Sequence, residues 1–140
     1  MLTEEELQSI RIHLEQVSTT WSDLMLALYY LPASASQLIS ARFEDVDGEK
    51  LHLPEKGRFR KNTLALPVVI KKMISRRRKM YPHDIYIFQS HSNRVKSQKK
   101  PVTVIAFNHA LRMAATGVTK IKVTSKQITK IGSFHAGRMI

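Results

Sequence analysis

The chain has 140 residues, 43% of them hydrophobic, which suits one compact domain with its own core and is too short for two. It has no cysteine, which excludes disulfides and thiolate metal sites, and no apolar run approaches the roughly 20 residues of a membrane span. The net charge of +12 is unevenly placed: residues 1–55 carry 3 Lys/Arg against 10 Asp/Glu, and residues 56–140 carry 20 Lys/Arg against the single Asp84. A stretch at +19 repels itself unless a polyanion supplies the counter-charge, which points to nucleic acid. Charge alone is also compatible with a ribosome-like protein, a membrane-surface protein or a well-solvated basic face. The first residues are acidic rather than the basic start of a secretory leader, so a cytoplasmic protein is expected.

In chain order, Thr3 followed by Glu4, Glu5 and Glu6 makes a capping box, and Leu7, Ile10, Leu14 and Val17 recur at helical spacing behind it. Residues 21–31 are apolar nearly throughout and predict a buried helix, capped by Ser22 and stopped by Pro32. Ser34 and Gln37 form a second capping pair for a third helix over residues 34–43, with Leu38, Ile39 and Ala41 on its apolar side. From Val46 the period changes. Asp47-Gly48 is a turn dipeptide, Leu51 and Leu53 alternate with polar residues, and so does the stretch 63–66. These predict two or three short antiparallel strands with a basic turn at residues 56–61.

Residues 68–80 return to helix, with Val69, Ile70, Met73 and Ile74 on one side and four cations, Arg76 to Lys79, at the end where they suit the helix dipole. Residues 85–88 read as a short apolar strand or extended segment, and residues 90–101 as a polar loop holding Arg94, Lys96, Lys99 and Lys100. Thr103 caps a further helix that closes at Gly117. Residues 118–131 alternate Lys with Val and Ile and fit strand or helix equally. Ser133 is expected to cap a last helix carrying His135 and Arg138 in its first turn, where the free backbone N–H groups and the two side chains would cradle one phosphate. The other histidines, His13, His52, His83, His91 and His109, lack metal-ligand spacing, so neither a metal nor a cofactor is expected.

The order of these pieces resembles the catalytic domain of the tyrosine recombinases, the phage-integrase family. The resemblance runs from Leu2-Thr3-Glu4-Glu5-Glu6-Leu7, through Ser36-Gln37-Leu38-Ile39-Ser40-Ala41-Arg42-Phe43-Glu44-Asp45-Val46-Asp47-Gly48, Lys56-Gly57 and Leu64-Ala65-Leu66-Pro67, to Ser133-Phe134-His135-Ala136-Gly137-Arg138. It implies an α+β, mainly helical fold, with helices around a small antiparallel three-stranded sheet. It implies double-stranded DNA as partner, with Lys56, His135 and Arg138 at the family's lysine and H-x-x-R positions. Arg58, Arg60, Lys61, Arg76, Arg77, Arg94, Lys96, Lys99 and Lys100 are the cations expected to face DNA, and Arg58, Arg60 or Lys61 could equally stand for the family lysine.

Three departures accompany the resemblance. Ser34 stands where the family has its first arginine, no tyrosine follows Arg138, and residues 1–140 read as the catalytic domain alone, without a preceding core-binding domain. The expectation is a DNA-binding integrase-like protein that does not cleave DNA, acting beside an active recombinase or with itself. Helices missing after the H-x-x-R box would expose apolar surface near the last segment. The alternatives are a segment of an active recombinase whose nucleophile lies downstream, and an RNA-binding basic domain.

Overall fold

The computed structural model describes residues 1–92 and 98–139, the last four of these by backbone alone. Helix α1 (Glu4–Val17) opens with the capping box: the Thr3 hydroxyl accepts from the Glu6 N–H at 3.1 Å, and the Thr3 N–H donates to the Glu6 carboxylate at 2.9 Å. That second bond holds the Glu6 carboxyl below its ordinary range. Helix α2 (Thr19–Tyr30) starts earlier than the sequence suggests, because Ser18 supplies the cap while the Ser22 hydroxyl donates to the Thr19 carbonyl. Helix α3 (Ala35–Ser40) is capped by Ser34 as expected but is shorter, giving way to a 3₁₀ turn at Phe43–Asp45.

Strands β1 (Val46–Asp47), β2 (Lys50–Leu53) and β3 (Asn62–Ala65) form an antiparallel sheet in that order, with Leu51 opposite Leu64. Leu51, Leu53 and Leu64 point into the core, so the period of two buries one face of the sheet. Helix α4 (Val68–Met80) follows Pro67. The strand or extended segment expected at residues 85–88 forms no full strand but a single bridge between Arg42 and Tyr86, with Ile87 and Phe88 buried. A second bridge, Gln89 to Pro101, closes the base of the basic loop.

Helix α5 (Val104–Ala115) is capped by Thr103, and helix α6 (Ser125–Met139) resolves the ambiguous stretch. Residues 118–124 form a turn, and the helix starts with a capping box the sequence reading overlooked. The Gln127 side chain accepts from the Thr124 N–H at 2.8 Å, and the Thr124 hydroxyl from the Gln127 N–H at 3.4 Å. Ser133 therefore lies inside a continuous helix and caps nothing.

Helix α2 is the central post, with α1, α3, α4 and α6 all packed on it. Its contact with α6 is backbone-close: a Cβ on Gly132 would fall 1.8 Å from the Tyr29 carbonyl oxygen. The molecule is thus α+β and mainly helical around a small three-stranded sheet, as the sequence indicates. No helix among the described residues is long and apolar enough to cross a membrane.

Candidate nucleic-acid interface

The basic turn between β2 and β3 is a tight two-residue hairpin tip. Lys56 and Phe59 exchange backbone hydrogen bonds at 2.9 Å in both directions, and Gly57 takes φ +58° while Arg58 keeps a negative φ, as a II′ turn requires. Lys56, Arg58, Arg60 and Lys61 are all exposed there. The hairpin is moored to α3 through Gln37, a buried side chain whose Nε2 donates to the Arg60 carbonyl at 2.9 Å.

This mooring closes one wall of a cleft of about 550 Å³. The start of α3 supplies Ser34, Ser36 and Gln37, the hairpin supplies Arg58 and Phe59, α5 supplies Val104, and α6 supplies Lys126, Thr129, Lys130 and Ser133. Residues 126, 129, 130 and 133 follow helical spacing and share one face. The opposite face, with Ile128, Ile131 and Gly132, is buried. Ser34 spends its hydroxyl on the α3 cap, accepting from the Gln37 N–H at 3.2 Å, and the Thr129 hydroxyl donates to the Ala33 carbonyl at 3.3 Å. The cleft therefore brings three cations, Arg58, Lys126 and Lys130, and several hydroxyls together over a largely apolar lining of Pro32, Ala33, Ala35, Phe59 and Val104.

The expected site residues divide around this cleft. Arg58 lines it, whereas Lys56 sits on the same turn without lining it. His135 is not brought there. It lies further along α6 against α2, its Nδ1 hydrogen-bonded to the Tyr29 hydroxyl and its ring edge-on to Tyr29 at 5.5 Å. The expectation that His135 and Arg138 occupy a helix's first turn is corrected by the capping box at Thr124, which starts α6 two turns before Ser133. The first-turn positions three residues apart are Lys126 and Thr129. The Arg138 side chain, Arg94 and Lys96 lie outside the described residues.

Arg77, expected among the DNA-facing cations, belongs to the core. It is fully buried; its Nε donates to the Ile87 carbonyl at 2.7 Å, and its two terminal nitrogens donate to Asp23 at 3.1 Å and to the Thr20 hydroxyl at 2.9 Å. Four successive cations encircle a helix, so one had to face inward, and Asp23 on α2 receives it. Arg76 pairs with the same carboxylate but remains half exposed. Lys99 and Lys100 are exposed at the end of the basic loop, Lys99 with a φ of +50°. None of the four tyrosines lines the cleft: Tyr29 meets His135, Tyr30 packs edge-on to Tyr29, Tyr81 stacks on His91 and Tyr86 lies under Arg42.

The sequence reading missed Lys126, Thr129 and Lys130. The Thr124 to Gln127 capping pair was the signal that would have placed a helix there and put these residues on one side of it.

No protein-family profile matches the sequence, and no curated protein does either. Solved structures do. A XerA recombinase superposes with a TM-score of 0.77 at 14% identity, over 99% of this chain and 50% of that one. A lambda integrase fragment, crystallised as a dimer bound to a COC′ core site, gives 0.79 at 12% identity over 99% and 52%. The lambda integrase catalytic core gives 0.79 at 13% identity over 99% and 84%. The chain thus has a tyrosine recombinase catalytic-domain-like fold, and it spans about half the length of the first two proteins.

Proposed function

We propose that this domain grips duplex DNA through the cleft and the basic hairpin, holding a backbone phosphate between Arg58, Lys126 and Lys130 without cutting the strand. The observation that carries this reading is the convergence of Arg58, Lys126 and Lys130 on one cleft. Cations supply attraction to a phosphate, and two lysines one turn apart on one helix face reach the same space on their flexible stems. Strand cleavage asks for more: donors preorganised on the charge that builds in the transition state, and a nucleophile within reach. Here Ser34 and Thr129 present neutral hydroxyls already committed to local backbone groups. Exposed Arg60, Lys61, Lys99 and Lys100 extend the cationic rim, while Arg76 contributes only partly because Asp23 holds it.

The test has two arms. In fluorescence-anisotropy titrations against duplex DNA, affinity falls steeply with salt, and the double variant Lys126→Ala/Lys130→Ala lowers the log–log salt slope by about 2 while weakening all sequences alike. On a nicked suicide duplex the intact protein leaves no covalent adduct. A salt-insensitive interaction, or a variant indistinguishable from the parent, rejects the phosphate site; an adduct rejects the non-cleaving assignment. Tighter binding to RNA than to DNA in competition would move the reading to an RNA-binding domain.

A further inference from the structure

Helix α5 carries a surface that the phosphate cleft leaves unused. Its inner face is closed by Phe107, Leu111, Ala114 and Ala115. On the opposite side Ile105, His109, Arg112 and Met113 recur at i, i+4, i+7 and i+8, all exposed. Ile105 is 84% exposed, more than any other large apolar side chain among the described residues.

Its surroundings indicate what would cover it. The preceding residue, Val104, lines the cleft beside Arg58, Lys126 and Lys130. Exposed Lys99 and Lys100 come just before the helix, Arg112 stands two turns along the same face, and α5 itself contains no carboxylate. An apolar tip with cations before it and after it on its helix, next to a residue that lines a cationic cleft, matches a duplex, which offers phosphates at the edges and bases between them. An acidic protein surface would satisfy the cations but offers nothing specific to the isoleucine. In the major groove, the one apolar group projecting from a base edge is the C5 methyl of thymine.

We propose that Ile105 covers a thymine methyl in the major groove beside the phosphate held in the cleft, giving the domain a preference for thymine at that step. This rests on the DNA-gripping reading and adds sequence readout to it. A side chain so exposed makes few contacts within its own fold, so truncating it leaves the domain intact.

The discriminating pair of ligands is an alternating dA–dT duplex and the same duplex with deoxyuridine for thymidine, which differ in that methyl. The parent protein binds the thymine duplex roughly fourfold more tightly, as expected for covering one methylene-sized group. Ile105→Ala binds the two duplexes equally and keeps the parent salt slope. Equal affinity of the parent protein for both duplexes overturns the proposal, as does undiminished discrimination in Ile105→Ala, and both outcomes leave the phosphate site standing. Failure to bind either duplex in a salt-dependent way removes the phosphate site and this readout together.

Discussion

Arg77 shows how a cation can be misread when only its neighbours in sequence are considered. Within the run Arg76 to Lys79 it looks like one more solvated charge at a helix end, yet it makes three hydrogen bonds in the core and sits 5.4 Å from the Tyr81 ring and 5.7 Å from the Phe88 ring. Truncating it would open a cavity, leave the Ile87 carbonyl and the Thr20 hydroxyl without this donor, and leave Asp23 to Arg76 alone. Arg77→Ala is therefore expected to cost about 3–5 kcal/mol in chemical denaturation, and Arg76→Ala under about 1 kcal/mol. If Arg77→Ala unfolds at the parent denaturant midpoint, the network contributes little and the residue is merely tolerated inside. The sequence did contain a clue, because Asp23 is an isolated acid in an otherwise apolar helix and needed a partner. Which of the four cations would serve was settled by packing, which composition does not express.

At the scale of elements, the caps at Thr3, Ser34 and Thr103 were legible, whereas those at Ser18 and Thr124 were not. Thr3, Ser34 and Thr103 were recognised as helix starts because a hydroxyl three residues ahead of a backbone N–H is a local arrangement. The last helix is expected, but its start is displaced: alternating Lys with Val and Ile over residues 118–131 satisfies a strand as well as a helix, and the capping box lies at Thr124 instead of Ser133. The displaced start moves the candidate site by about two and a half turns, from His135 to Lys126.

Gly132 marks where this helix touches α2. A methyl there meets the Tyr29 carbonyl, and neither backbone can yield without moving its helix. Gly132→Ala should lose about 1–3 kcal/mol by overpacking and weaken DNA binding as the lysine face shifts. Unchanged thermal unfolding would show that the two helices stand further apart than described. The hairpin offers a gentler counterpart. Gln37→Ala removes the amide that holds the Arg60 carbonyl, costs about 0.5–1.5 kcal/mol, and should release the tip to faster amide exchange at residues 56–61. Exchange as slow as in the parent protein would mean that the sheet alone orients the turn.

For the whole molecule, the charge asymmetry visible along the sequence becomes exposed cations on the hairpin, the loop end, α4, α5 and α6, while Glu4, Glu5 and Glu15 stay exposed on α1. The fold class is what the resemblance implies, carried by the order of the pieces along the chain, and the likeness to recombinase structures at 12–14% identity agrees with it. Both walls of the cleft descend from one post: α2 carries α6 directly and leads through Pro32 into α3, which Gln37 ties to the hairpin. With both sides fixed to one helix, a ligand captured there as proposed would meet a backbone already in place, and the ordering left to it would fall on the side chains of Arg58, Lys126 and Lys130.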